Sequence, residues 1–108
     1  MAQLLPLVTL LDGITADEDG ASFALVVPGT GRHNALYSAY VRSTDFGGGT
    51  VTIQVSSDGT NWFTARTRND NQAIFTVADH MVLQIQSANV RARLVGAVGP
   101  AALTVELI

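Results

Sequence analysis

The sequence predicts an all-β domain, a single antiparallel β-sandwich or jelly-roll-like fold of about eight strands. Three observations carry that expectation. Apolar and polar residues alternate with a period of two in short runs, Gly, Pro, Asn and Asp punctuate the runs at close spacing, and no window holds a helical period over three turns. A chain of 108 residues fits one domain with a real core.

Leu4–Leu11 opens the chain with Leu4, Leu5, Leu7, Val8, Leu10 and Leu11 on both faces of an extended segment broken by Pro6. A half-exposed edge strand does not show that pattern. Residues 1–11 are therefore either a first strand covered on both sides or an apolar N-terminal arm. As an arm, residues 2–11 would act as an assembly strap on a neighbouring molecule, and residues 12–108 would form the sandwich. Asp12–Gly20 reads as a loop, Ser22–Val27 as a strand, Pro28–His33 as a turn and Ala35–Ser43 as a strand. Gly47-Gly48-Gly49 is a loop ahead of Thr50–Ser56, where Val51, Ile53 and Val55 alternate with Thr52, Gln54 and Ser56. The Asp58-Gly59 pair suits a hairpin turn, with Asn61–Arg66 as the return strand. Ala73–Val77, Met81–Gln86, Val90–Val95 and Ala102–Leu107 follow, the last three with clean alternation. The expected core is Val51, Ile53, Val55, Trp62, Leu83, Ile85, Leu94, Leu103 and Val105. Trp62 is assigned there as the plug of one sandwich end. A sugar- or base-stacking platform would need further aromatics on its face, and alternation sends Phe63 to the opposite side.

Hydrophobic residues are 47% of the chain, whereas charged residues are only 14%, against about 25% in typical soluble domains. Much of the surface must then be uncharged, which suits burial against neighbouring subunits. All six basic residues are Arg. Protein interfaces favour Arg over Lys, although a GC-rich genome would produce the same bias. A net charge of −3 argues against a nucleic-acid partner. Arg66 with Arg68, and Arg91 with Arg93, each share a strand face, as solvated or interface groups. The chain has no Cys, which removes disulfides, thiolate catalysis and zinc–thiolate sites. No basic n-region and no apolar run of membrane-spanning length is present, so neither a secretory leader nor a membrane partner is expected.

No catalytic, cofactor-binding or metal-binding residue is assigned. Asp17-Glu18-Asp19-Gly20, with Asp12 upstream, lacks the spacing and the closing Glu of a calcium loop. His33 and His80 have no metal-ligand spacing, and Asp79-His80 with a serine forms no recognisable triad. No nucleophile elbow and no phosphate-cradling loop occurs. The chain reads as a non-enzyme without cofactors.

The hairpin "GGGTVTIQVSSDGTNWF" and the ending "ADHMVLQIQSANVRARLVGAVGPAALTVELI", roughly residues 47–108, resemble small virion structural proteins of tailed bacteriophages, most of all capsid decoration (cement) proteins. The resemblance implies a β-sandwich, made in a host cytoplasm and placed on the capsid surface of the virion. It would act there as a homo-oligomer, a trimer, bracing contacts between subunits of the major capsid protein. Candidate capsid or subunit contacts are Leu4, Leu5, Leu7, Val8, Arg91 and Arg93. A phage tail or baseplate protein is the first alternative. A carbohydrate-binding or adhesin module is the second, since such modules also carry a Ser-x-Asp-Gly-x-x-Trp hairpin.

Overall fold

In a computed structural model the chain is all-β, and residues 8–24, 35–85 and 89–108 are described. The strands are β1 (Val8–Ile14), β2 (Glu18–Asp19), β3 (Phe23–Ala24), β4 (Ala35–Arg42), β5 (Thr50–Ser56), β6 (Phe63–Thr64), β7 (Arg66–Thr67), β8 (Ile74–Phe75), β9 (Asp79–Ile85), β10 (Asn89–Val95) and β11 (Leu103–Leu107). They form two antiparallel sheets. One runs β1-β11-β4-β9-β7; the other runs β2-β10-β5-β6, with β3 also on β10 and β8 also on β5. Consistent with a sandwich, the alternation turns one side chain in two toward a shared core.

That core matches the period-two runs. In β10, Val90, Ala92 and Leu94 are buried, opposite Val51, Ile53 and Val55 of β5. In the other sheet, Leu103, Val105 and Leu107 of β11 and Leu83 and Ile85 of β9 are all at most 1% exposed. Of the expected core, Val55 is only partly buried but packs on the cluster, and Trp62 is outside it. The core gains Phe46, Phe75, Ala65, Ala73 and the Leu10–Leu11 pair.

Of the two readings of the N-terminal segment, the first strand describes it from Val8. From Val8 it is a strand of its own sheet, paired to β11 through Val8↔Leu107 and Leu11↔Val105, and Leu10 and Leu11 are 3% and 2% exposed. Two β-bulges, between Thr9 and Leu11 and between Leu11 and Ile14, let successive leucines turn inward. Residues 8–11 therefore complete their own core rather than leaving it as a strap, and the sandwich begins before residue 12. Residues 1–7 lie outside the described residues.

The chain changes sheets on both open sides of the sandwich. Three residues join β1 of one sheet to β2 of the other. On the opposite side Ala65 alone links β6 to β7. Ala65 is buried and bonded both ways, its N–H donating to the Ile53 carbonyl at 2.8 Å and its own carbonyl accepting from the Ala73 N–H at 2.9 Å.

Candidate interaction site

The loop between β5 and β6 sets the position of Trp62. It spans six residues, longer than a two-residue hairpin turn, and Asp58 organises it from within. One Asp58 carboxylate oxygen accepts the backbone N–H groups of Thr60 and Asn61, both at 2.8 Å, together with the Ser56 hydroxyl at 2.9 Å. The other accepts the Asn61 amide at 2.8 Å. The Ser56 hydroxyl in turn accepts the N–H groups of Asp58 and Gly59. Hydrogen bonds from the Asn61 and Thr60 backbone hold the Asp58 carboxyl well below its ordinary pKa, since each is made to the charged form. Gly59 takes the left-handed φ of +76° expected of the Asp-Gly pair.

The loop delivers Trp62 to the outer face of the six-stranded sheet. Thr64 pairs with Gln54, and Gln54 with Arg91, so the three side chains stand in a row across that face. Trp62, two residues before Thr64, shares their side. The Arg91 guanidinium lies 4.4 Å from the Trp62 ring centroid, and its Nε donates to Gln54 Oε1 at 2.8 Å. The assignment of Trp62 to the core is thus overturned: it is a partly buried surface side chain with one ring face under an arginine. One step along the face, Arg93 Nε meets Asp19 Oδ1 at 2.7 Å.

Of the residues expected at an interface, Arg91 and Arg93 sit together on this face. Val8 lies at the edge of the other sheet, packed against the core, so it does not join them. Leu4, Leu5 and Leu7 fall outside the described residues.

The outer face of the five-stranded sheet holds a second surface, which lies outside the residues expected at an interface. Leu36 and Val82 are 49% and 46% exposed, and Tyr40 is exposed beside them. They lie on the neighbouring strands β4 and β9, where Leu36 pairs with Gln84, Ser38 with Val82 and Tyr40 with His80. The Tyr40 and His80 rings stack at 5.5 Å. Arginines on this face are held in ion pairs: Arg42 with Glu106 at 2.5 Å, and Arg66 with Asp70 at 3.3 Å. The signal was present in Ala35–Ser43, where Leu36 and Tyr40 fall on the side opposite Tyr37, Ala39 and Val41.

Two acids of the acidic stretch, Asp17 and Asp19, have structural partners. Asp17 accepts the backbone N–H groups of Gly96 and Ala97 at 2.9 and 2.8 Å, closing the turn after β10. No group of three potential ligands that could hold a metal occurs among the described residues. Asp79 accepts the backbone N–H of His80 at 2.7 Å, while His33 lies outside the described residues. No helix among the described residues is long and apolar enough to cross a membrane. What this arrangement offers is surface for contact: one face built on Trp62, Arg91 and Gln54, the other on Leu36, Tyr40 and Val82. No protein-family model, no curated protein and no solved structure matches the chain.

Proposed function

We propose that the chain is a non-enzymatic attachment module, a capsid decoration protein that lies on the outer shell of a tailed bacteriophage and braces contacts between major capsid subunits. The observation that carries this reading is the outer face of the five-stranded sheet. An antiparallel sheet that faces water normally turns polar side chains outward. Here Leu36, Tyr40 and Val82 stand exposed on adjacent strands, with Arg42 neutralised by Glu106 beside them. A sheet face that exposes apolar side chains and holds its charges in ion pairs is suited to burial against a broad protein surface. The low charge of the whole chain and the hairpin and C-terminal resemblance point the same way. The partner in this reading is the major capsid protein, with no part for nucleic acid, membrane or cofactor.

The test is attachment. Virions lacking the gene are imaged, and the purified protein is added back to them. A Leu36→Glu/Val82→Glu variant, altered only at exposed positions, should melt like the parent protein and fail to bind. Normal binding by that variant would remove the face from the reading, and density lost from the tail instead of the shell would move the protein there. Trp62 lying outside the core favours a carbohydrate-binding reading as the alternative. That reading has to overcome Arg91 covering one ring face, and binding on a glycan array that is lost in Trp62→Ala would establish it.

A further inference from the structure

The two open sides of the sandwich carry opposite charge. On the side where β1 crosses to β2 stand four carboxylates, Asp12, Asp17, Glu18 and Asp19, with Arg93 reaching Asp19. Asp17 is engaged by the Gly96 and Ala97 N–H groups, but Asp12 and Glu18 are exposed and make no ion pair or hydrogen bond among the described residues. On the side where β6 crosses to β7 lies an open cleft of about 350 Å³, lined by Thr64, Arg66, Thr67, Arg68, Asp70 and Gln84 among others. Arg66 is tied to Asp70, whereas Arg68 is exposed and has no partner among the described residues. Because β1 and β7 end one sheet and β2 and β6 end the other, the acidic edge and the arginine cleft lie at opposite ends of both sheets.

We infer that the chain associates with a second copy of itself head to tail, the acidic β1–β2 edge of one molecule seated against the Arg66–Arg68 cleft of the next. Charge complementarity names the occupant: the cleft offers a guanidinium fork and the far edge two carboxylates, none of them paired among the described residues, and fork geometry favours that pairing. The contact joins different surfaces, so it propagates into a closed ring or an open chain rather than a two-fold dimer. Strand addition does not compete with it. β1 is bulged twice, and β7 is two residues long with its Thr67 N–H already given to the Asn71 carbonyl. The net charge of −3 repels copies at a distance, so attraction acts only near contact, within a Debye length of about 8–10 Å.

This inference does not rest on the shell reading, and its test needs only the isolated chain. Sedimentation velocity and native mass spectrometry over a concentration series should show the protein assembling. Arg68→Glu and Glu18→Arg should each raise the Kd of association about tenfold or more by setting like charges opposite one another. Arg68→Glu/Glu18→Arg, which inverts both surfaces together, should recover assembly, as should an equimolar mixture of the two single variants. Melting curves matching the parent protein establish that the variants fold. A protein that stays monomeric across the series, a single swap that leaves the mass distribution unchanged, or a double variant that stays apart overturns the inference.

Discussion

Three glycines allow two sources of backbone cost to be separated. Gly47 has φ +61°, and a Cβ there would lie 2.5 Å from the Val98 carbonyl oxygen. Its neighbour Gly48 has φ +75° with nothing within 4 Å of the same position. Gly20 has no left-handed φ, but its Cβ would sit 2.6 Å from the Leu10 oxygen and 2.9 Å from the Ala92 oxygen. Gly48→Ala therefore carries only the left-handed penalty, about 1–2 kcal/mol. Gly20→Ala carries only crowding against backbone, about 1–3 kcal/mol where the structure must shift to make room.

Gly47→Ala carries both, about 2–5 kcal/mol from the sum of those terms. It also strains the latch in which Val98 N–H donates to the Gly47 carbonyl at 2.9 Å, which holds the loop before β5 to the turn after β10. Urea unfolding of the four proteins at one temperature, with the slope compared as well as the midpoint, measures the differences. The order of loss should place Gly47→Ala last in stability. If Gly47→Ala costs no more than Gly48→Ala, the close approach of Val98 to residue 47 is wrong, and with it the packing of these two loops.

Leu11→Ala should cost about 2–5 kcal/mol in the same assay, as a buried leucine does; a neutral result would mean that β1 is not part of the core. A double-mutant cycle between Trp62→Ala and Arg91→Ala should give a coupling of about 0.5–1 kcal/mol, the range of a cation–π contact at a surface, and no coupling would dissolve the stacked pair. Asp58 has its folded-state pKa lowered, so its stabilisation is complete above the ordinary aspartate range near ~3.9 and is lost as pH falls through the lower folded value. Asp58→Asn should therefore lower the melting temperature at neutral pH and reduce its fall on acidification, and parallel curves for the two proteins would count against the hydrogen-bonded carboxylate.

The strands that alternate strictly were legible almost to the residue. The run Thr50–Ser56 has the same ends as β5, and the runs Ala35–Ser43, Met81–Gln86, Val90–Val95 and Ala102–Leu107 lie within two residues of β4, β9, β10 and β11 at either end. β2 was not legible, because Glu18-Asp19 has no apolar member to alternate. It is held instead by the Arg93–Asp19 ion pair and by the Gly20 N–H donating to the Ala92 carbonyl. Asn61–Arg66 divides into β6 and β7 because Ala65 passes through the core, and nothing local distinguishes a sheet crossing from a continuous strand. The size of Trp62 favours a core position, but its parity with Thr64 puts it beside Gln54 and Arg91. The Arg66–Arg68 pair was visible as two cations on one strand face, but the cleft between sheets depends on the crossing and so on tertiary structure.

The first strand shows how one pattern can have two physical origins. Apolar residues on both faces of an extended segment imply that both faces are covered, and a flat strand can achieve this only with a layer on each side. β1 reaches the same end at the edge of its sheet by breaking register. The bulge between Thr9 and Leu11 changes which side of the pleat faces inward, so Leu10 and Leu11 both reach the core although they are adjacent. Gly13, at φ +59°, lies within the second irregularity, and its N–H donates to the Thr104 hydroxyl at 3.1 Å, tying the bent edge back to β11. The same bends make β1 a poor template for adding a strand, so the edge that buries two leucines is also guarded against ladder pairing. What that edge presents outward is carboxylate, from Asp12 in β1 and Glu18 in β2, and a partner approaching it is selected by charge rather than by backbone hydrogen bonds.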